Sequence, residues 1–257
     1  PPLTNDKWID YFNLYKTIPE FSEQNFNMSL NEFKVIFWWE WGHRQLGRLI
    51  GLTVLLPLIF FSIKNGLWIL KKYGLIFLLV CFQGFIGWYM VSSGLIERVD
   101  VSHYRLSLHL VTAFIILSVI FWKFLKLTKI QTIDISININ LVKFFLFLLF
   151  LQLIIGAFVS GMDAGRVYNT WPMMGSSYFP DDSQFIEFLN LNVFDNPSIV
   201  QFIHRNLAYL ILGIYVYILF FTIKDRNEIF RKPVIIIGVS LFLQIVLGIF
   251  TILSGVK

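Results

Sequence analysis

Histidine is scarce in this chain, and most of it sits where an ionisable group is costly. Of four histidines, His43, His109 and His204 lie inside long apolar runs, near the ends that share one side. A titratable side chain at membrane depth marks a functional site by default; the plainer reading is an imidazole bonded to a neighbouring helix as membrane glue. Imidazoles on facing helices are also how bundles hold a haem iron, so two pairs of axial ligands would make two haem sites. Gly47, Ala113 and Ala208 each follow a histidine by four residues, which puts them on the same helix face one turn along. A small side chain there leaves room for a flat macrocycle, or for a closely packed helix. His103 stands apart, at the interface, and is expected to be structural or solvated.

These residues need elements to position them. The chain is 56% hydrophobic and only 14% charged, with mean hydropathy +0.68, too apolar for a soluble monomer. Six spans of helical length are predicted, near 37–62, 73–93, 105–122, 141–161, 201–222 and 233–254. They must be helices, because the alternating pattern of a barrel is absent and lipid leaves backbone groups no other partners. A disulfide scaffold is excluded by the single cysteine, Cys81, expected to pack within its span. The net charge of +5 reflects topology and not nucleic-acid binding. Lys64, Lys71, Lys72, Lys123, Lys126, Lys129, Lys143, Lys224, Arg226, Arg231 and Lys232 all flank connections on one side, which the positive-inside rule makes cytoplasmic or matrix-facing. The other side takes the acidic entry segment (Asp6, Asp10, Glu20, Glu23, Glu32), the turn with Glu97 and Asp100, and the long loop from Met162 to Val200.

The chain also repeats itself. HRQLGRLIGL from His43 lies over HRNLAYLILG from His204 at an offset of 161 residues, and the same offset carries Gln83, Gly87, Ser93 and Gly94 onto Gln244, Gly248, Ser254 and Gly255. Parallel repeats of this kind make two similar bundles related by an axis along the membrane normal. The fold expected is all-α: a polytopic membrane protein of two pseudo-symmetric four-helix bundles, with six helices present here. Residues 1–130 would form the first bundle and 131–257 the second. The helix with Gln152, Gly156, Ser160 and Gly161 opens the second unit, so its counterpart would precede Pro1; the counterpart of His109 would fall at position 270, beyond Lys257. A first and a last helix are therefore expected to be missing, and the chain alone is expected to be inactive.

The repeat exposes an asymmetry. Glu40 stands three residues before His43, whereas Gln201 stands three before His204. A partly buried carboxylate beside one ligand can exchange protons with a substrate, so one half reads as reactive and the other as an electron-transfer site; the alternative for Glu40 is a helix-start acid. Arg44 and Arg205 follow the aligned histidines and Arg105 lies one turn before His109; each either bonds haem propionates or snorkels to the interface. Gln83, Gln152 and Gln244 each open a QxxxG pattern, whose glycines allow close helix contact and whose glutamines are expected to bond between helices, with polar contact to a ligand as the alternative. There is no HExxH, cysteine pair or GxSxG.

EFKVIFWWEWGHRQLGRLIGL from Glu32, QGFIGWYMVSSGL from Gln83, VSHYRLSLHL from Val101, DAGRVYNTWPMMG from Asp163 and VQFIHRNLAY from Val200 together resemble the heme A synthase family. The likeness covers nearly the whole chain. It implies eight helices in two bundles, substrate haem O held by His43 and His109, a prosthetic haem b with His204 as one axial ligand, and Glu40 as the acid of the reactive half. The implied reaction oxidises a ring methyl of haem O to the formyl of haem A, through successive hydroxylations and loss of water. Haem O synthase and terminal oxidase assembly factors would be the neighbours, membrane lipid the surroundings, and a homo-oligomer one arrangement the sequence allows. The membrane would be the bacterial cytoplasmic membrane, or the mitochondrial inner membrane in a eukaryote. The outer-loop cysteine pair of some members is absent, and His103 falls where the family carries a glutamine. A dihaem b-type electron-transfer cytochrome competes with the synthase reading, and a transporter or assembly factor with structural histidines is a third class; Glu40 opposite Gln201 and the long outer loop favour the enzyme.

Overall fold

The computed structural model describes residues 1–92, 99–128, 137–190, 192–224 and 228–256. Ser93, Gly94, Glu97, Lys129 and Arg226, which the sequence reading singled out, lie outside them. The described residues are helical, with no strand beyond an isolated Met174–Ser177 bridge. Six helices are long and apolar enough to cross a membrane: α3 (Leu30–Asn65), α4 (Trp68–Ser92), α5 (His103–Leu127), α6 (Ile139–Gly161), α7 (Pro197–Lys224) and α8 (Glu228–Leu253). The chain is a polytopic helical membrane protein.

Each span outruns its sequence estimate because capping and amphipathic turns lie outside the apolar stretch. At the start of α3 the Ser29 backbone N–H donates to Glu32 at 2.8 Å while the Glu32 N–H donates back to the Ser29 hydroxyl at 3.3 Å, a reciprocal cap that satisfies two otherwise orphaned donors. The 36 residues of α3 extend about 54 Å at 1.5 Å per residue, well beyond a hydrocarbon core of about 30 Å. Its first turns, with Trp38, Trp39 and Trp41, fit the interface where tryptophan concentrates. The basic residues ride helix ends and not loops: Lys71 and Lys72 open α4, and Arg231 and Lys232 lie in the first turns of α8. Cys81 is exposed on α4.

Two elements escaped the sequence reading. The acidic entry segment folds as α1 (Asn5–Tyr15) and α2 (Pro19–Glu23). Trp8 and Phe12, one turn apart on α1, pack with Phe33 of α3 at ring-centroid distances of 6.5 and 5.3 Å. Tyr15 donates to Glu20 at 2.9 Å and accepts from Asn25 at 2.8 Å; burial, then the Glu20 carboxylate, pushes its hydroxyl up to about 12.

The chain divides into two compact units, Pro1–Lys129 and Ile130–Lys257. In the first, α4 packs on α3 and α5, and α1 lies on α3; in the second, α7 packs on α6 and α8. The core of the second unit is built by Phe145, Leu148, Ile155 and Phe158 of α6 against Val200, Leu207, Ile211, Tyr215 and Ile218 of α7. Tyr215 donates to the Val234 carbonyl at 3.1 Å and faces Gly238, where any side chain would collide with it.

Candidate functional site

In the first unit His43 of α3 and His109 of α5 come together, with ring centroids 6.5 Å apart and planes at 67°. Two imidazoles on opposite sides of one metal, each nitrogen about 2.0 Å from it, would have centroids about 6 Å apart, so the spacing suits a shared iron. Gln83 of α4 reaches His109: its Nε2 donates to the His109 carbonyl at 2.9 Å and lies 3.2 Å from the ring Nδ1. One turn along α4, Gly87 makes the space, since a Cβ there would stand 2.9 Å from His109 Cε1.

The second unit uses the same pattern on different helices. Gln152 of α6 donates to the His204 carbonyl of α7 at 3.2 Å and lies 3.3 Å from the ring Nε2. Gly156, one turn on, would place a Cβ 3.2 Å from His204 Cε1. His204 lines a cavity of about 400 Å³ with Gln152, Gly156, Ala208, Gln244 and Gly248, so three helices contribute glycine, alanine or glutamine to one wall. The His204 Nδ1 is buried without a hydrogen-bond partner among the described residues. The cavity brings one imidazole together with small residues of three helices, beside larger side chains such as Trp171, Tyr209 and Ile252.

The arginines part company here. Arg205 is 7% exposed and its terminal nitrogens donate to loop carbonyls: to Thr170 at 2.9 Å, Met173 at 3.4 Å and Tyr168 at 3.0 Å. Gln201, 1% exposed, donates to the Tyr168 carbonyl at 3.1 Å. Both side chains therefore hold the outer loop, a role the sequence reading of Arg205 did not include. Trp171 donates to Tyr209 at 2.9 Å and Asn169 to the Ile252 carbonyl at 3.2 Å, fastening the loop along the rim of the cavity. Farther out, Ser176 donates to Asp181 from its backbone N–H at 2.6 Å and its hydroxyl at 2.9 Å, which holds that carboxyl below the usual range. For Asp182 burial works the other way, but bonds led by the Ser198 hydroxyl at 2.7 Å outweigh it and lower its pKa too.

The aligned pair in the first unit is open. Glu40 and Arg44 bond each other at 3.3 Å with side chains 60% and 53% exposed. Glu40 is no helix-start acid, because α3 begins at Leu30. Arg105 lies over the Tyr89 ring at 5.0 Å. His103 opens α5 with its ring 4.1 Å from that of Tyr104.

Residues 1–257 match the COX15-CtaA family of cytochrome oxidase assembly proteins. The chain belongs to that family. Among the cytochrome oxidase assembly proteins it is similar to the heme A synthase of Pelagibacter ubique (strain HTCC1062), 48% identical over all of this chain and 76% of the relative. It is also similar to the heme A synthase of Rhodopseudomonas palustris (strain BisA53), 40% identical over all of this chain and 72% of the relative, and to that of Rickettsia bellii (strain RML369-C), 38% identical over all of this chain and 78% of the relative. No solved structure matches it. Within this COX15-CtaA chain, the sequence reading had paired His43 with His109 but had not joined a glutamine to either histidine. The signal was present: the QxxxG patterns of Gln83 and Gln152 each precede, by one helix, the histidine they contact.

Proposed function

We propose that this chain carries the haem-binding helices of a protein that makes haem A in the membrane, taking haem O as substrate and oxidising one ring methyl to a formyl group through successive hydroxylations and loss of water. The observation that carries this reading is the approach of His43 and His109 from helices separated in sequence, taken with full-length similarity to heme A synthases. His43 and His109 hold the substrate haem in the first unit. His204 is an axial ligand in the second, where a prosthetic haem b supplies one-electron transfer. Glu40 holds and moves a proton close to the reacting methyl, with Arg44 steadying its charge; Arg44 and Arg105 are placed for propionates. The farnesyl tail of haem O explains a lipid-embedded site, since each buried methylene contributes about 0.8 kcal/mol. Haem O synthase and oxidase assembly factors are the expected neighbours, in the cytoplasmic membrane of a bacterium.

The test is pigment analysis of the protein purified from a membrane that makes haem O. Haem B together with haem O or A is expected, with the latter two lost in His43→Ala. Haem B alone would indicate an electron-transfer cytochrome, and the absence of all haem would return the histidines to structural roles.

A further inference from the structure

The outer loop of the second unit carries an apolar tip that its own fold leaves uncovered. The tip is a short 3-10 helix, Phe185–Leu189, in which side chains three apart eclipse one another and so define three faces. Phe185 and Phe188 turn onto Phe179, with ring centroids at 4.3 and 6.2 Å. Phe179 and Phe188 in turn pack on Phe202 of α7 at 5.1 and 6.4 Å. Glu187 also turns to the protein, accepting from the Gln184 N–H and from Asn196, both at 2.8 Å. The third face is Ile186 and Leu189, 61% and 81% exposed, with Phe185 exposed beside them. Apolar side chains grouped at the surface of an otherwise hydrogen-bonded polar loop mark a contact with something apolar.

The height of the tip identifies that contact as lipid. Phe202 stands 22 residues before Lys224, the basic end of α7, which is about 33 Å along the helix at 1.5 Å per residue. A hydrocarbon core is about 30 Å thick. With Lys224 at one boundary, Phe202 and the rings packed on it therefore lie at the other, in the zone where aromatic side chains concentrate. Phe202 also shares a helix face with Gly213, Tyr217 and Phe220, which stay exposed along the span, so the tip continues the lipid-facing surface of α7. Tyr178 ties the loop to that face, donating to Asn206 at 2.6 Å. The nearby carboxylates of Asp181, Asp182 and Glu187 are taken up by hydrogen bonds to Ser176, Ser198 and Asn196, and their negative charge disfavours an anionic headgroup.

We propose that residues 185–189 form a membrane foot: Ile186 and Leu189 enter the leaflet on the side opposite Lys224, among the acyl chains of zwitterionic lipid beside α7. Arg205 and Gln201 hold the start of the loop to α7, and the foot holds its far part to the bilayer. This anchoring does not depend on whether the histidines bind haem.

The experiment uses the full chain with Cys81→Ala and one further change, Leu189→Cys, Ile186→Cys or Ser176→Cys, each labelled with a small fluorophore and reconstituted in phosphatidylcholine vesicles. Lipid with brominated acyl chains should remove most of the emission at 189 and 186 and little of that at 176. Iodide, present on both sides of the membrane, should do the reverse. Two foot positions are labelled so that one damaged variant cannot decide the result. Iodide quenching at 189 and 186 as strong as at 176 would put the tip in water and overturn the proposal. Labels at 189 and 186 shielded from both quenchers would put another protein surface, a second copy included, over the tip and overturn it too. Equal quenching of all three labels by the brominated chains would remove the distinction between foot and loop, and the proposal fails.

Discussion

Glu40 and Gln201 occupy matching places beside matching histidines, yet they have opposite surroundings. Glu40 is at the surface of its unit in an ion pair, while Gln201 is buried under the outer loop. If Glu40 moves a proton in the reaction, Glu40→Gln should lower haem A formation by about 100-fold or more, the usual range for losing a general acid or base, while leaving the spectrum of haem b intact. Product analysis alongside the spectrum separates these effects. Gly87 offers a second residue-scale test. An alanine there meets His109 at 2.9 Å, whereas one at Gly84 meets nothing within 4 Å. Gly87→Ala should cost about 1–3 kcal/mol through overpacking, and Gly84→Ala should be neutral or slightly stabilising through helix propensity; thermal unfolding in detergent would compare them. The sequence carried Gly87 plainly as the glycine of QxxxG. It did not carry the identity of the side chain filling the gap, because that depends on which helix packs opposite.

At the scale of elements, the spans were legible because lipid admits few alternatives to a long apolar helix. Helices α1 and α2 were not, because their sequence is acidic and aromatic without a long apolar run; both pack on the cluster around Phe33, and Thr4 caps α1. The outer loop was visible only as a length of polar chain. Its order comes from Arg205 and Gln201, which bond backbone carbonyls that no sequence pattern marks. Arg205→Leu should therefore free the loop at a cost of about 2–3 kcal/mol for buried charge-assisted bonds, seen as faster proteolysis between Tyr168 and Asp182. Acid should act on the same loop. Asp181 and Asp182 are held below the ordinary carboxyl range, so their stabilisation is fully present above the unfolded value of about 3.9. It is lost as pH falls through the lower folded values. Proteolysis of the loop should accelerate only in that acid window, and Asp182→Asn should flatten the response.

For the molecule as a whole, the repeat sets His43 and His204 on corresponding helices. What the repeat did not convey is how differently the two copies are finished. Under the positive-inside rule the basic helix ends of the second unit, Lys224 and Lys232, would face the cytoplasm and the loop at 162–200 the outside. A cysteine introduced at Ser176, with Cys81 replaced by alanine, should react with a membrane-impermeant thiol reagent from outside intact cells. Labelling only after the cells are opened would reverse the assigned orientation.

The buried Arg205 and Gln201 bind their loop across the rim of a cavity, while Glu40 and Arg44 bind only each other in the open. A molecule seated in the second unit would have those loop bonds along its rim, and among the described residues the first unit shows no matching latch. Under the proposed function, residence time divides the two units: isotopically labelled haem added to membranes should replace the tetrapyrrole of the first unit long before that of the second.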